Sequence, residues 1–154
     1  MASRGHSLSV LGNHDNKLLR KLRGNNVQPT HGLALTLEQL AREPVELADT
    51  LREFLETLPT HLVLDQGRLV VAHAGLREDL QGRVSPRVHS FALFGDTTGE
   101  TDEAGLPIRL NWAANYHGAA LVVYGHTPVA EPWGQNQTVN IDTGCVFGGR
   151  LTAL

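Results

Sequence analysis

Three short apolar runs in this chain end in the same way, and that recurrence constrains its fold more than any other feature. Ser7–Leu11 leads into Gly12-Asn13-His14-Asp15. Val70-Val71-Ala72 leads into His73-Ala74-Gly75, and Val122-Val123-Tyr124 into Gly125-His126-Thr127-Pro128. Each run is β-like, and each closes on a small residue and a histidine. In an α/β fold the side chains at strand ends converge on one crevice, so residues far apart in sequence meet there. Imidazole nitrogens with amide or carboxylate oxygens suit Mn, Fe, Ni or Zn better than Ca or Mg. The pattern predicts an α/β chain with a metal or acid–base site built on strand ends.

At 154 residues and 41% hydrophobic content, the chain can bury one core and has little room for two. Aromatic residues are only 5%, so that core must rest on Leu, Val and Ala. A formal charge of −3 gives no footprint for tight non-specific nucleic-acid binding. A phosphate held at a local site remains compatible with it. Cys145 is the single cysteine, so no internal disulfide forms and a reducing compartment fits. Residues 1–11 lack the apolar core of a signal peptide, and no apolar run is long enough to span a bilayer. A cytoplasmic protein without a membrane partner is expected.

Leucine spacing predicts helices over Asn16–Arg23, Leu33–Arg42 and Val45–Leu58. Gly24-Asn25-Asn26 stops the first, Pro44 fits the first turn of the third, and Pro59 ends it. Ser7–Leu11 reads as a buried strand. His61–Asp65 and Arg68–His73 read as strands joined at Gln66-Gly67. Asp79–Pro86 reads as loop and Arg87–Phe94 as a short helix. Gly95–Pro107 is polar, acidic and too long for an ordinary connection, which makes it an expected loop. Ala119–Tyr124, Thr138–Ile141 and Arg150–Leu154 are β-like, the chain stopping inside the last. No repeat or linker interrupts this order, so a single domain over residues 1–154 is expected.

Each chemical candidate has a plain structural alternative. Asn13 can cap the helix that follows it, and His14 can be a solvated loop residue. His73 can be a core histidine bonded to a carbonyl, and His126 a turn residue. Asp142, just past a strand, can fix the tautomer of a ligand histidine or simply make an Asp turn. Cys145 has no base beside it and reads as a buried small residue. Thr97–Glu103 is either a solvated loop or a lid over substrate. His6, His31, His61, His89 and His117 carry no pattern and are expected to be structural or exposed.

Taken in order, these motifs resemble the calcineurin-like metallophosphoesterase family. Gly12-Asn13-His14-Asp15 is similar to its third motif, Val71-Ala72-His73-Ala74-Gly75 to its fourth, and Tyr124-Gly125-His126-Thr127-Pro128 to its last histidine motif. Ile141-Asp142-Thr143-Gly144-Cys145-Val146-Phe147-Gly148-Gly149 resembles its closing segment. The run Gly95–Pro107 with Asn111-Trp112-Ala113, together with Asn13–Arg20 and Thr30–Ala34, resembles the phosphatase module of bacterial polynucleotide kinase-phosphatase.

The resemblance implies a layered β-sandwich flanked by helices and a two-metal phosphoesterase, with Mn2+ or Ni2+ as the expected ions. Asn13, His73 and His126 match metal ligands. His14 matches the general acid, and Asp142 an acid that supports the site; substrate-binding residues are not indicated. The implied reaction is in-line attack on a phosphomonoester by a metal-bound water between ions about 3.5–4 Å apart. The implied substrate is a nucleic-acid 3′ or 2′ end, with kinase and ligase modules as possible neighbours in a longer protein. The family's Asp-X-His and Gly-Asp-X-X-Asp-Arg-Gly motifs do not occur here; Arg4-Gly5 invites comparison with the second, but no Asp precedes it. The resemblance therefore covers only the C-terminal part of such a module, with the N-terminal strands missing. The expectation is at most one well-held ion and an incomplete or inactive catalytic site. Two alternatives stand beside it: a non-catalytic metal-binding or interaction remnant, and a phosphatase for nucleoside polyphosphates or phosphoproteins.

Overall fold

The computed structural model describes residues 7–103 and 105–154. Arg4-Gly5 and His6 lie outside the described residues. The α/β class expected from the strand-end pattern is what the chain adopts, in two compact units, Met1–Pro59 and Thr60–Leu154.

The first unit is helical: α1 (Asn13–Leu22), α2 (Leu33–Leu40) and α3 (Val45–Thr57). Helix α1 starts three residues before the Asn16 that leucine spacing predicts. Gly12 is its N-cap, and the Gly12 N–H donates to Asp15 Oδ2 at 2.9 Å. That carboxylate closes the N-terminus back onto the preceding residue, so the polar Asn13-His14-Asp15 can be helical without an apolar face. Gly24 at φ +83° ends the turn after α1. Helices α1 and α3 pack on one another, with Leu19 and Leu55 buried. Arg23 Nε donates to Glu56 Oε1 at 2.8 Å, tying the end of α1 to the end of α3.

Prolines set the helix limits. Pro44 is the N-cap of α3 rather than part of its first turn, and α2 stops two residues short of the predicted Arg42. The residue before a proline is disfavoured in the α region, so Glu43 cannot carry the helix on. Ser7–Leu11 is not a strand: Ser7, Leu8 and Ser9 are exposed, and the described backbone pairing is Leu11 N to Pro59 O at 2.9 Å. Apolar residues make a strand only where a second backbone accepts the ladder.

The second unit is built on a five-stranded sheet in the order β1-β2-β5-β7-β6: β1 is His61–Leu64, β2 Leu69–Ala72, β5 Leu121–Tyr124, β6 Trp133–Gln135 and β7 Thr138–Asn140. The three central strands, β2, β5 and β7, run parallel, and β1 and β6 are antiparallel at the edges. The β1–β2 hairpin forms where Gln66-Gly67 predicts it; Asp65, Gln66 and Gly67 all take positive φ. Val70 on β2 and Val122 on β5 are fully buried, with Leu76, Val88 and Trp112 in the same core. Helix α4 (Pro86–Phe94) contributes Val88, Phe91 and Ala92 to that core. It opens on Ser85 Oγ, which accepts from the Val88 N–H at 3.2 Å.

Two local readings are corrected, and one strand adds to them. Gly95–Pro107 is not an irregular loop: β3 (Thr97–Thr101) and β4 (Pro107–Arg109) pair as an antiparallel hairpin. Its threonines are good strand formers, but its strands are polar and show no apolar alternation. Arg150–Leu154 is not a strand and keeps one isolated bridge, Gly144 to Arg150. Strand β6 is too short to be seen by periodicity; its turn into β7 is marked by Asn136 at φ +52°.

His61 gives the second unit a pH dependence. Its Nε2 accepts the Gly82 N–H at 3.0 Å, which requires the unprotonated ring nitrogen. Burial holds its pKa below the usual histidine value. The unfolded chain thus binds a proton more readily, and stability falls as pH drops below about 6.5. A thermal melt series from pH 7.5 to 5 should show that loss, and His61→Gln should flatten it. An unchanged slope in the variant would remove His61 as the cause.

Candidate functional site

Three residues picked out in the sequence sit just beyond the carboxyl ends of the parallel strands. His73 follows β2 by one residue, His126 follows β5 by two, and Asp142 follows β7 by two. Backbone bonds continue the sheet past the strands: Gly125 N to His73 O at 2.9 Å, and Ile141 N to Tyr124 O at 2.9 Å. The strand ends are thereby held in register while their side chains leave the sheet. Ligand sites in open α/β sheets form at this edge.

His73 Nε2 and His126 Nδ1 lie 2.9 Å apart, with the rings edge-on at 68°. Neither the core-histidine nor the turn-residue reading predicts such a pairing. Two imidazole nitrogens at this separation either share a proton or belong to one metal shell. Metal–nitrogen bonds of about 2.0–2.1 Å bring two ligands this close when they meet at nearly a right angle. The donor chemistry therefore fits a divalent transition ion. Among the described residues no third His, Cys, Asp or Glu completes a three-donor group.

His126 has φ +77°, in the left-handed region that non-glycine residues seldom enter. A side chain kept there at a cost of about 1–3 kcal/mol is characteristic of a functional position. Gly125 allows the approach of the neighbouring strand end: a Cβ at Gly125 would sit 3.0 Å from Asp142 Cβ.

Asp142 is fixed from several sides. Its Oδ1 accepts the Gly144 N–H at 3.0 Å, its own N–H donates to Asn140 Oδ1 at 2.9 Å, and its carbonyl accepts the Val129 N–H at 2.8 Å. The Asp-turn reading is thus realised in its side chain. Asn140 was not singled out by its sequence setting. It is buried at the end of β7, and its Nδ2 donates to Thr127 O at 2.9 Å. One amide thereby ties the segment after His126 to the segment carrying Asp142. A buried side-chain amide with both ends bonded is costly to misplace.

Asn13 and His14 lie in the other unit and open α1; Asn13 is half-buried and His14 exposed. Asn13 is the first helical residue, not the cap, so the capping alternative gives way to Gly12. Cys145 is exposed rather than buried, because it begins a short 3-10 turn after Gly144 at φ +71°.

Two clefts of the second unit meet at His126. One, of about 330 Å3, is lined by His73, His126, Asp142, Cys145, Arg150 and Thr152. The other, of about 280 Å3, is lined by Phe94, Asp96, Arg109, Trp112, Trp133 and His126. Tyr124 borders both, and burial pushes its phenol pKa up from the ordinary value. Among the described residues no helix is long and apolar enough to cross a membrane.

No family model matches the chain. It is 54% identical over 149 residues to the bis(5′-nucleosyl)-tetraphosphatase PrpE (asymmetrical) of Geobacillus thermodenitrificans, covering 94% of this chain and 61% of that protein. It is 53% identical over 147 residues to the protein of the same name from Bacillus subtilis, covering 93% and 60%. The chain thus spans about three fifths of the length of these curated relatives. A crystal structure described as a candidate diadenosine tetraphosphatase superposes with a TM-score of 0.61 at 29% identity, covering 96% of this chain and 63% of that one. These relatives carry tetraphosphatase names, and the likeness to a polynucleotide kinase-phosphatase module finds no support among them.

Proposed function

We propose that this chain supplies His73 and His126 as ligands to a divalent metal, in a site that hydrolyses a phosphoester of a nucleoside polyphosphate. The observation that carries this reading is the 2.9 Å approach of His73 Nε2 to His126 Nδ1 at the ends of adjacent parallel strands. The substrate class is taken from the tetraphosphatase names of the relatives.

When bound, the ion supplies Lewis acidity toward phosphoryl oxygens and activates a water for in-line attack. Mn2+ or Ni2+ suits two imidazoles with oxygen donors. His73 and His126 would hold such an ion through unprotonated ring nitrogens. Asp142, held by Gly144 and Asn140, keeps a carboxylate beside the strand ends to orient the site. Asn13 as an oxygen ligand and His14 as proton donor to the leaving oxygen rest on their motif. The Asp-X-His and Gly-Asp-X-X-Asp-Arg-Gly motifs do not occur in these 154 residues, so hydrolysis by this chain would rest on the one ion that His73 and His126 hold, and turnover is the part of the proposal most exposed to the test below.

The test is hydrolysis of diadenosine tetraphosphate beside a 3′-phosphorylated oligonucleotide, with and without Mn2+. Mn2+-dependent release of nucleotides from the dinucleotide, at least tenfold faster than phosphate from the oligonucleotide, is expected. Faster turnover of the oligonucleotide would return the nucleic-acid-end reading that the Gly95–Pro107 resemblance favours. Stoichiometric Mn2+ uptake with turnover of neither would leave a non-catalytic metal-binding protein.

A further inference from the structure

The cleft that opens at His126 toward β6 has a composition that the metal reading does not use. Trp133, on the edge strand β6, is 43% exposed, and Phe94, the last residue of α4, is 38% exposed. Both line the cleft. Their open ring faces stand beside polar groups, the arrangement in which an aromatic side chain can stack on a planar ligand. The cleft's inner wall is rigid: Trp112 packs edge-on against Tyr124 at 5.0 Å and Phe91 at 6.0 Å.

Arg109 supplies a cation to the same cleft. Its guanidinium donates to the Phe94 carbonyl, at the C-terminal end of α4 where the helix dipole favours positive charge. It makes no ion pair with any carboxylate among the described residues. Asp96 is the one acid in the lining, and it forms no ion pair with Arg109. The field of Arg109 is therefore available to an anion. Asn111 Nδ2 donates to Gln135 Oε1 at 3.1 Å, joining the exit of β4 to the strand that carries Trp133. The cation and the open indole are thus parts of one framework. At about 280 Å3 the space sits at the small end of ligand pockets, sized for one nucleotide rather than two.

We propose that this cleft binds one nucleotide portion of the substrate, the base stacking on Trp133 and Phe94 and a phosphate meeting Arg109. The inference rests on the phosphoesterase reading and names the part of the chain that selects a nucleoside over a bare polyphosphate. Stacking on an aromatic face tolerates any base, so the cleft discriminates nucleotide from inorganic chain rather than one base from another.

The test is equilibrium binding of ATP and of tripolyphosphate to the 154-residue chain in EDTA, read by tryptophan fluorescence and calorimetry. The wild-type chain is expected to bind ATP at least tenfold tighter than tripolyphosphate, with quenching by ATP. Trp133→Thr should lose that preference and Trp133→Phe should keep it. Arg109→Gln should weaken both ligands by about tenfold. Equal affinity for the two ligands in the wild-type chain, or a preference untouched by Trp133→Thr, would overturn the proposal. Mn2+ uptake measured separately distinguishes the two readings. Nucleotide preference without Mn2+ uptake upholds the cleft and removes the metal site; Mn2+ uptake without nucleotide preference does the reverse.

Discussion

Gly75→Ala is expected to destabilise the second unit by about 3 kcal/mol or more, lowering its melting temperature by roughly 12 °C or more. Two costs add. Gly75 has φ +96°, a region that L side chains rarely adopt. A Cβ there would also lie 2.0 Å from Trp112 Cζ2 and 2.5 Å from Cε2. The indole cannot retreat: it is 7% exposed and packed edge-on against Phe91, Tyr116 and Tyr124. Gly82→Ala is the control. It has φ +68° but nothing within 4 Å of the new Cβ, so only the backbone cost of about 1 kcal/mol applies. A thermal melt in which the two variants shift equally would show that the Trp112 contact does not constrain Gly75. The site is affected as well, because Gly75 lies two residues beyond His73 and Tyr124 two residues before His126.

On the proposed function, His126→Ala is expected to lower metal-dependent turnover of diadenosine tetraphosphate by about 100-fold or more. It removes one of the two nitrogens that meet at 2.9 Å, leaving a single imidazole to hold the ion. Losing a ligand should weaken uptake before it alters any chemical step, so the metal concentration giving half-maximal rate should rise first. Asp142→Asn should act more mildly, about tenfold, because its Oδ1 contact to the Gly144 N–H survives in the amide. Full activity in His126→Ala at ordinary metal concentrations would contradict the ligand assignment.

Much of this architecture is legible in the residues, for identifiable reasons. Helix α3 is long enough for its leucine spacing to show through, and Val122 and Val70 mark strands buried in a parallel sheet. The strand-end histidines are legible because a short apolar run, a small residue and an imidazole recur together. Their convergence on Nε2 and Nδ1 needed the parallel register of β2 and β5, which no local pattern encodes. The β3–β4 hairpin escaped notice because polar, exposed strands carry no apolar alternation. Trp133, Arg109 and Asn140 escaped for a different reason. Each is unremarkable among its sequence neighbours, and its meaning comes from which loops it touches. A compact motif such as Gly125-His126-Thr127-Pro128 points to chemistry, whereas a cleft wall assembled from α4, β4 and β6 does not.

Pulsed electron paramagnetic resonance on the Mn2+-loaded chain with 15N-labelled histidine reads whether His73 and His126 share one ion. Two imidazole nitrogens coupled to each bound ion are expected, falling to one in His73→Ala and in His126→Ala. Mn2+ bound with no histidine coupling, or coupling unchanged in both variants, would show that the 2.9 Å pair is a hydrogen-bonded couple of the fold and not a metal site.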